Sequence, residues 1–258
     1  MTGTSWGEHA LVRGVPTTYE RCVTGLEVER PVNLSLAQEQ HGFYCETLQA
    51  LGLELIRVEP DDRFPDCCFV EDPAVVVGDI AVLTRMGAPS RVGEESAIRD
   101  ALRPHRKTRE IHSPGTLEGG DVVRIDEKIY VGLSRRTNQA GLDQLDALVS
   151  ELGFRVIPVR VHRGLHLKSS CTSIGEGSVV LLRGNVEEDA FSEHNVIDIP
   201  REEAPAADCL RVRDRVLVLE GYPISAKRIE SEGFDTMPLP MSEFEKCEGA
   251  LTCLSIIF

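Results

Sequence analysis

The sequence has no run of lysines or arginines, no apolar stretch long enough to cross a membrane and no Cys-x-x-Cys pair. Each absence excludes something. Lys and Arg total 28 against 42 Asp and Glu, a net charge of −14, so the positive face that nucleic acid or an anionic membrane requires is missing. A cationic ligand suits such a field. The longest apolar stretches are cut by Asp79 or stop at Phe258, far short of a membrane span. The opening MTGTSWGEHALVRG carries neither a basic leader nor an apolar segment, so no export signal is expected and the cytoplasm is the expected location. The eight cysteines, two of them adjacent at Cys67 and Cys68, are then expected to be reduced thiols rather than bridges. The lack of Cys-x-x-Cys weakens the case for zinc. What remains is 258 residues, 41% hydrophobic and 27% charged, ordinary for one large or two small globular domains and incompatible with disorder or a fibre.

What is present is a repeat. Five extended segments run into a proline: Leu55–Pro60, Glu110–Pro114, Arg155–Pro158, Val196–Pro200 and Asp235–Pro240. The prolines at 60, 114, 158, 200 and 240 lie 54, 44, 42 and 40 residues apart. Proline cannot donate to a sheet ladder, so each is expected to stop a strand. After each comes a β-branched run, a Gly or Asp turn and a second run, which is a hairpin. The pairs are Cys68–Val77 with Ile80–Leu83, Asp121–Ile125 with Ile129–Leu133, Ser170–Ile174 with Ser178–Leu182, and Cys209–Val212 with Val216–Leu219. The fifth run, Leu251–Phe258, has no return strand, and Ala10–Arg13 from the other end of the chain is the segment that could supply it and close a ring.

Helical spacing fills the gaps. Leu142, Leu145, Leu148, Val149 and Leu152 mark a helix over Asn138–Leu152 that stops at Gly153. Similar patterns cover Asn33–Leu51 and Ser225–Glu232, and Ser242-x-x-Glu245 reads as a capping box. A ββαβ unit repeated five times predicts one α/β domain over residues 1–258, a five-bladed α/β propeller; a two-domain α/β protein is the alternative. In a ring, the segment after each proline converges on one centre, so polar residues at that phase are the candidates.

The first unit contributes Asp66, Glu71 and Asp72. Acids inside an apolar strand are expensive to bury without partners, so they read either as a receptor for a guanidinium or as partners of a structural arginine. The second unit holds Glu118-Gly119-Gly120-Asp121, where the glycines indicate a close backbone approach or a tight turn. Arg135 and Arg136 precede a helix; one could bind a substrate carboxylate, and Arg135 reads as solvated. In the third unit His162 and His166 have helical metal-ligand spacing, but Pro158 and Gly164 argue against a helix. His166 falls instead in an extended Leu165–Ser169 segment. The fifth unit supplies Cys253. A cysteine is more often a small buried hydrophobe, a reading that fits Cys22, Cys45 and Cys247 as well. Together, Cys253, His166 and Glu118 bring a nucleophile, a base and an orienting acid from three units to one phase.

These motifs resemble the guanidine-modifying, or pentein, superfamily, and within it the dimethylarginine dimethylaminohydrolases. The matching stretches are Phe64–Asp72, Thr84–Arg91, Thr116–Val122, Val131–Asn138, Leu165–Ser169 and Leu251–Cys253, in family order across nearly the whole chain. The resemblance implies that Cys253 is the nucleophile, His166 the general acid and base, and Glu118 the residue orienting His166. It also implies that Glu71 and Asp72 hold a guanidinium, with Asp66 near the substrate α-amino group and Arg91 and Arg136 on its α-carboxylate. The Cys247 carbonyl would meet the amine, and a mobile flap would fall near Arg21 to Leu26. No cofactor and no resident metal are implied, and the partner expected is a small cationic substrate, a methylated arginine.

The implied reaction converts Nω-methylarginines to citrulline and a methylamine through a cysteine thiouronium. Arginine deiminase is the nearest rival; those enzymes carry an inserted helical domain and an acid two residues after the histidine, where this sequence has Lys168. A non-catalytic scaffold has no need of Cys253, His166 and Glu118 together. A Cys–His metal site, with zinc as ligand or inhibitor, is a third reading. Whether two copies pair as a homodimer is left open.

Overall fold

The computed structural model describes residues 7–25 and 31–258. In chain order the elements are β1 (His9–Arg13), α1 (Leu34–Ala50), β2 (Glu54–Val58), β3 (Ala74–Val77), β4 (Ile80–Leu83), α2 (Glu95–Leu102), β5 (Lys107–Glu110), β6 (Val122–Ile125), β7 (Lys128–Leu133), α3 (Gln139–Ser150) and β8 (Arg155–Arg160). They continue with β9 (Cys171–Gly175), β10 (Ser178–Leu181), β11 (Asn195–Asp198), β12 (Leu210–Val212), β13 (Arg215–Leu219), α4 (Pro223–Ser231), β14 (Asp235–Leu239), α5 (Ser242–Glu245) and β15 (Ile256–Ile257).

The strands form five three-stranded sheets, β15-β1-β2, β3-β4-β5, β6-β7-β8, β9-β10-β11 and β12-β13-β14. Each has an antiparallel pair, a hairpin in all but the first, and a parallel third strand. The chain ends meet as the repeat predicts: β1 pairs antiparallel with β15, Ala10 opposite Ile257, and parallel with β2. The apolar core is divided by seam. Leu11, Leu83 and Ile256 pack between the first two sheets, and Val82, Val122 and Leu145 between the second and third. Val123, Tyr130 and Leu181 fill the next seam, then Val180, Val216 and Ile229, and finally Ala10, Leu48 and Leu217 close the circle. Five sheets joined through five successive seams make the propeller. Among the described residues no helix is long and apolar enough to cross a membrane.

Local details depart from the sequence reading. Proline does not stop every strand: Pro158 pairs opposite Val131 inside β8, and Pro238 opposite Val218 inside β14. Both are edge strands, where a missing N–H on the outer side costs no ladder bond. β5 ends at Glu110 rather than running to Pro114, because the His112 N–H donates to the Gln144 side chain instead of a strand. The Cys68–Asp72 stretch is a turn ahead of β3, with the Phe69 N–H bonded to the Asp66 carbonyl and the Glu71 N–H to the Cys253 carbonyl. Leu165–Ser169 is likewise a turn. In the third unit a short 3₁₀ turn at Glu188–Phe191 stands where the others have an α-helix. α2 is a helix that the sequence reading missed. The Ser242–Glu245 capping box does not form, since Ser242 Oγ accepts from Gln40 and Glu245 bonds to Tyr222. Asn33 and Asn138 do cap their helices, accepting from Leu36 N–H and Gly141 N–H.

Leu102 is fully buried in the seam between the first two sheets. Leu102→Ala is expected to cost about 2–5 kcal/mol in urea unfolding, by lost transfer energy and a cavity.

Candidate active site

A narrow cleft opens at the centre of the ring, with about 320 Å³ of empty space. Asp72 reaches it from the turn ahead of β3, His166 from the turn between β8 and β9, and Cys253 from the 3₁₀ turn ahead of β15. Loops, not strands, therefore carry the reactive groups. Their backbones are pinned by one another: Lys168 N–H donates to the Gly120 carbonyl, and Leu167 N–H to Asp121 Oδ1 at 2.9 Å. The two glycines answer a close approach. A Cβ on Gly119 would lie 2.0 Å from the Glu71 carbonyl oxygen, and one on Gly120 would lie 2.7 Å from His166 Nδ1.

Glu118 is wholly buried, and every lone-pair direction is used. Oε1 accepts from the Gly87 and Ala88 N–H groups at 2.9 and 3.0 Å. Oε2 accepts from His166 Nε2 at 2.7 Å and from Arg136 Nη1 at 2.9 Å. Asp72 Oδ1 lies 3.8 Å from the same His166 nitrogen. Burial pulls the His166 pKa down, but the Asp72 charge, the Glu118 hydrogen bond and Asp121 overcome it and leave it at about 9. At neutral pH the imidazole is thus an imidazolium, poised to give a proton. Burial pushes Asp72 up, yet His166 and Arg91 bring it down to about 2, so it stays ionised. Burial, then the charges of Asp208, Glu71 and Asp72, push the half-buried Cys253 thiol well above its ordinary range. Cys253 is a thiol in the resting site.

The carboxylates divide into two kinds. Asp66 and Asp72 line the cleft. Glu71 is turned away from it: Oε1 pairs with Lys168 Nζ, and Oε2 accepts from Thr252 Oγ1 at 2.9 Å. The structural-partner reading made from sequence holds for Asp72, which Arg91 takes at Oδ2, whereas a lysine rather than an arginine holds Glu71; Asp72 also lines the cleft, beside His166. Arg91 is buried and largely occupied. Glu94 takes its Nε and Nη2, Asp72 its Nη1, and the Phe69 carbonyl a further Nη2 hydrogen. One Nη1 hydrogen is left without a partner among the described residues. Arg136 also borders the cleft, with Nη1 given to Glu118. Arg135 is exposed, and so is His162, whose spacing to His166 has no functional counterpart.

Asp72, Glu118 and His166 each offer an atom within 4.8 Å of the others, a set that could hold a metal ion. Arg136 and two backbone N–H groups already fill Glu118, and Arg91 with the Gly120 N–H fills Asp72, which favours a proton network over a cation site.

The expectation that all cysteines are reduced does not hold. Cys22 and Cys247 form a disulfide across 225 residues of sequence, a separation that no local pattern could reveal. It ties the segment after Arg21 to the wall of the cleft. Val23 lines the cleft and its N–H donates to Asp66 Oδ1 at 3.1 Å, while Gly25 N–H donates to Glu248 at 2.6 Å. Residues 22–25 thus lie where a flap is expected; Leu26, the last residue of that expectation, is outside the described residues. Sequence reasoning also missed Glu94, Lys168 as the partner of Glu71, and the Thr252–Asp208 pair. Only Glu94, three residues after Arg91, had a readable signal in its spacing.

A five-bladed α/β ring with a cysteine, a Glu-paired histidine and free carboxylates at its centre is the architecture of the guanidine-modifying enzymes. The family described as "N,N dimethylarginine dimethylhydrolase, eukaryotic" matches residues 20–209. A relative from Streptomyces coelicolor, named N(G),N(G)-dimethylarginine dimethylaminohydrolase, is 38% identical over 258 residues, covering 96% of this chain and 95% of its own. The solved structure of the Pseudomonas aeruginosa dimethylarginine dimethylaminohydrolase, a Cys-to-Ser variant complexed with citrulline, superposes with a TM-score of 0.92 at 31% identity, covering 98% of this chain and 99% of that one. A second structure, an adduct with S-methyl-L-thiocitrulline, gives 0.93 at 32% identity, covering 98% of this chain and 100% of that one. The chain belongs to the dimethylarginine dimethylaminohydrolase family.

Two outcomes follow from this geometry. In an NMR titration His166 is expected to hold its proton through neutrality and lose it near pH 9, and Glu118→Gln should move that titration to lower pH. Because the folded value lies above the unfolded 6.5, the proton's stabilising effect is complete below pH 6.5 and fades as pH rises through about 9. Glu118→Gln should therefore lose most stability on the acid side of that window. Separately, Cys22→Ser should speed hydrogen exchange at the Val23 and Gly25 amides, which the tether holds against Asp66 and Glu248.

Proposed function

We propose that the chain hydrolyses Nω-methylated arginines, asymmetric dimethylarginine and monomethylarginine, to citrulline and a methylamine, and that residues 1–258 act as one domain. The observation that carries this is Cys253 sharing a cleft with Asp72 and with the His166–Glu118 pair. It is supported by a relative in the same family that holds citrulline.

The substrate guanidinium lies against Asp72, with Glu71 behind it, and the positive charge stays on its central carbon. The α-amino group meets Asp66 and the Cys247 carbonyl, and the α-carboxylate meets Arg136 and the remaining Nη1 hydrogen of Arg91. Bringing a cation beside Cys253 offsets the anionic acids that hold it as a thiol, so substrate binding favours the thiolate, whose proton passes to solvent. The sulfur attacks the guanidinium carbon and forms a C–S bond. The C–N bond to the methylated nitrogen breaks as His166 delivers its proton, and the amine departs. The product of this half-reaction is a covalent S-alkylthiouronium. His166, now neutral, takes a proton from water as the water oxygen attacks the same carbon. The C–S bond breaks, citrulline leaves and the thiol is restored. Glu118 holds the ring in place through both transfers.

Arginine deimination is the second reading, since it needs the same nucleophile and a different leaving group. Lys168 favours the first: it stands two residues after His166 and is paired to Glu71, where the deiminases have an acid.

Citrulline release should be measured from asymmetric dimethylarginine, monomethylarginine and arginine, beside Cys253→Ser. The methylated substrates are expected to turn over, and the substitution should lower kcat by at least about 10³-fold. Turnover of arginine alone would move the chain to the deiminases. Loss of activity in folded protein on every substrate would overturn the reading.

A further inference from the structure

The turn that carries Cys253 hangs on a residue from a different blade, Asp208, which lies buried just ahead of β12. Asp208 grips Thr252, the neighbour of Cys253, at two points: Oδ1 accepts the Thr252 N–H at 3.0 Å, and Oδ2 lies 3.0 Å from Thr252 Oγ1. The same Thr252 Oγ1 lies 2.9 Å from Glu71 Oε2. A hydroxyl has a single hydrogen, so it can donate to one of these carboxyl oxygens and must accept from the other. One of the two acids therefore carries a proton. Glu71 has an ammonium against its other oxygen, Lys168 Nζ. Asp208 has no ion-pair partner among the described residues. A proton on Glu71 would waste the Lys168 contact and leave Asp208 as a bare buried anion, whereas a proton on Asp208 leaves every group satisfied.

We propose that Asp208 is a positioning residue that works in its protonated form: its Oδ2–H donates to Thr252 Oγ1, Thr252 donates to Glu71, and this chain fixes the Cys253 turn without setting another anion beside the sulfur. The inference rests on Cys253 being the nucleophile. The titratable and charged groups acting on Asp208 are Glu71 through Thr252, Lys168 beyond it, Cys253 on the adjoining turn, Tyr44 from α1 and its own neighbour Cys209. Burial, then the Glu71 charge, push its carboxyl up to about 7, against the pull of the Thr252 contacts and Lys168. Below that pH the carboxyl is neutral. Above it, a new negative charge appears next to a thiol that Glu71 and Asp72 already hold protonated, and thiolate formation is suppressed just where rising pH would otherwise favour it.

Asp208→Asn separates this role from simple packing, since the amide is neutral at all pH, its N–H₂ can donate to Thr252 Oγ1 and its oxygen can accept the Thr252 N–H. Iodoacetamide labelling of Cys253, followed by mass spectrometry of its peptide across pH 6–10, reads the thiol without requiring turnover. Above pH 7 the variant is expected to label faster than wild type, by up to about tenfold for a shift of one pH unit. At pH 6 infrared difference spectroscopy should show a protonated carboxylic acid that disappears in Asp208→Asn. Thr252→Val, which cuts the chain of hydrogen bonds, should lower kcat about tenfold more than it raises KM, with Thr252→Ser restoring it. Superimposable labelling profiles for wild type and Asp208→Asn, or no acid band at pH 6, would overturn the proposal. Failure to turn over methylarginine with the labelling difference and the acid band intact would instead overturn the functional reading and leave the protonated Asp208 standing.

Discussion

Seven carboxylates, those of Asp66, Glu71, Asp72, Glu94, Glu118, Asp121 and Asp208, are each less than a tenth exposed and crowd the middle of one ring. Nothing else in the structure is so costly, since a buried carboxylate without a partner loses its hydration outright. The compensation comes from Arg91, Arg136, Lys168 and protonated His166, which is four cations for seven acids, or for six when Asp208 holds its proton. The ring centre is therefore short of positive charge even when His166 holds its proton, and shorter still without it. That shortfall explains why the histidine stays protonated to about pH 9, why the cysteine stays a thiol at rest, and why the missing charge is well supplied by a cationic substrate. Binding, proton placement and nucleophile activation are then aspects of one electrostatic imbalance.

The propeller makes such crowding tolerable. Each blade is stiffened by its own antiparallel pair and sealed to its neighbour by an apolar seam, so the polar turns at the centre are held by rigid sheets on all sides. Cys253, His166 and Glu118 come from three turns of three sheets, and these turns are bonded to one another across the blades. Glu71 N–H reaches the Cys253 carbonyl, Lys168 N–H the Gly120 carbonyl and Gly119 N–H the Asp72 carbonyl. The distances between these side chains thus depend on the ring staying closed, and closure depends on β1 and β15 meeting from opposite ends of the chain. The Cys22–Cys247 bridge adds a covalent tie at the mouth of the cleft, on the segment that has the least sheet to hold it.

Much of this architecture is legible in the order of the amino acids. Period and hairpin pattern carry the five units, and the ring closure through Ala10–Arg13 follows from one orphan strand. The alternation of β-branched runs and Gly or Asp turns is dictated locally, by the twofold period of a strand and the few residues that accept a turn conformation. Pro158 misleads because edge position, a property of the assembled sheet, decides whether a missing N–H matters. Glu118, Asp72, His166 and Cys253 can be named from residue type and recurring phase, and both readings of the glycines between Glu118 and Asp121 hold, since Gly119–Asp121 is a tight 3₁₀ turn and both glycines lie against other atoms.

By itself, then, the sequence determined which blades form, in what order, and which reactive side chains reach the centre, because strand periodicity and turn chemistry act over a few residues. Tertiary structure alone decided how the charges are shared there. That Lys168 takes Glu71, that Arg91 takes Asp72, that Asp208 grips the turn of Cys253 from 44 residues away, and that Cys22 finds Cys247 are outcomes of distance in space. Electrostatic and hydrogen-bond partners are chosen by geometry in a buried site, and no spacing along the chain encodes that choice.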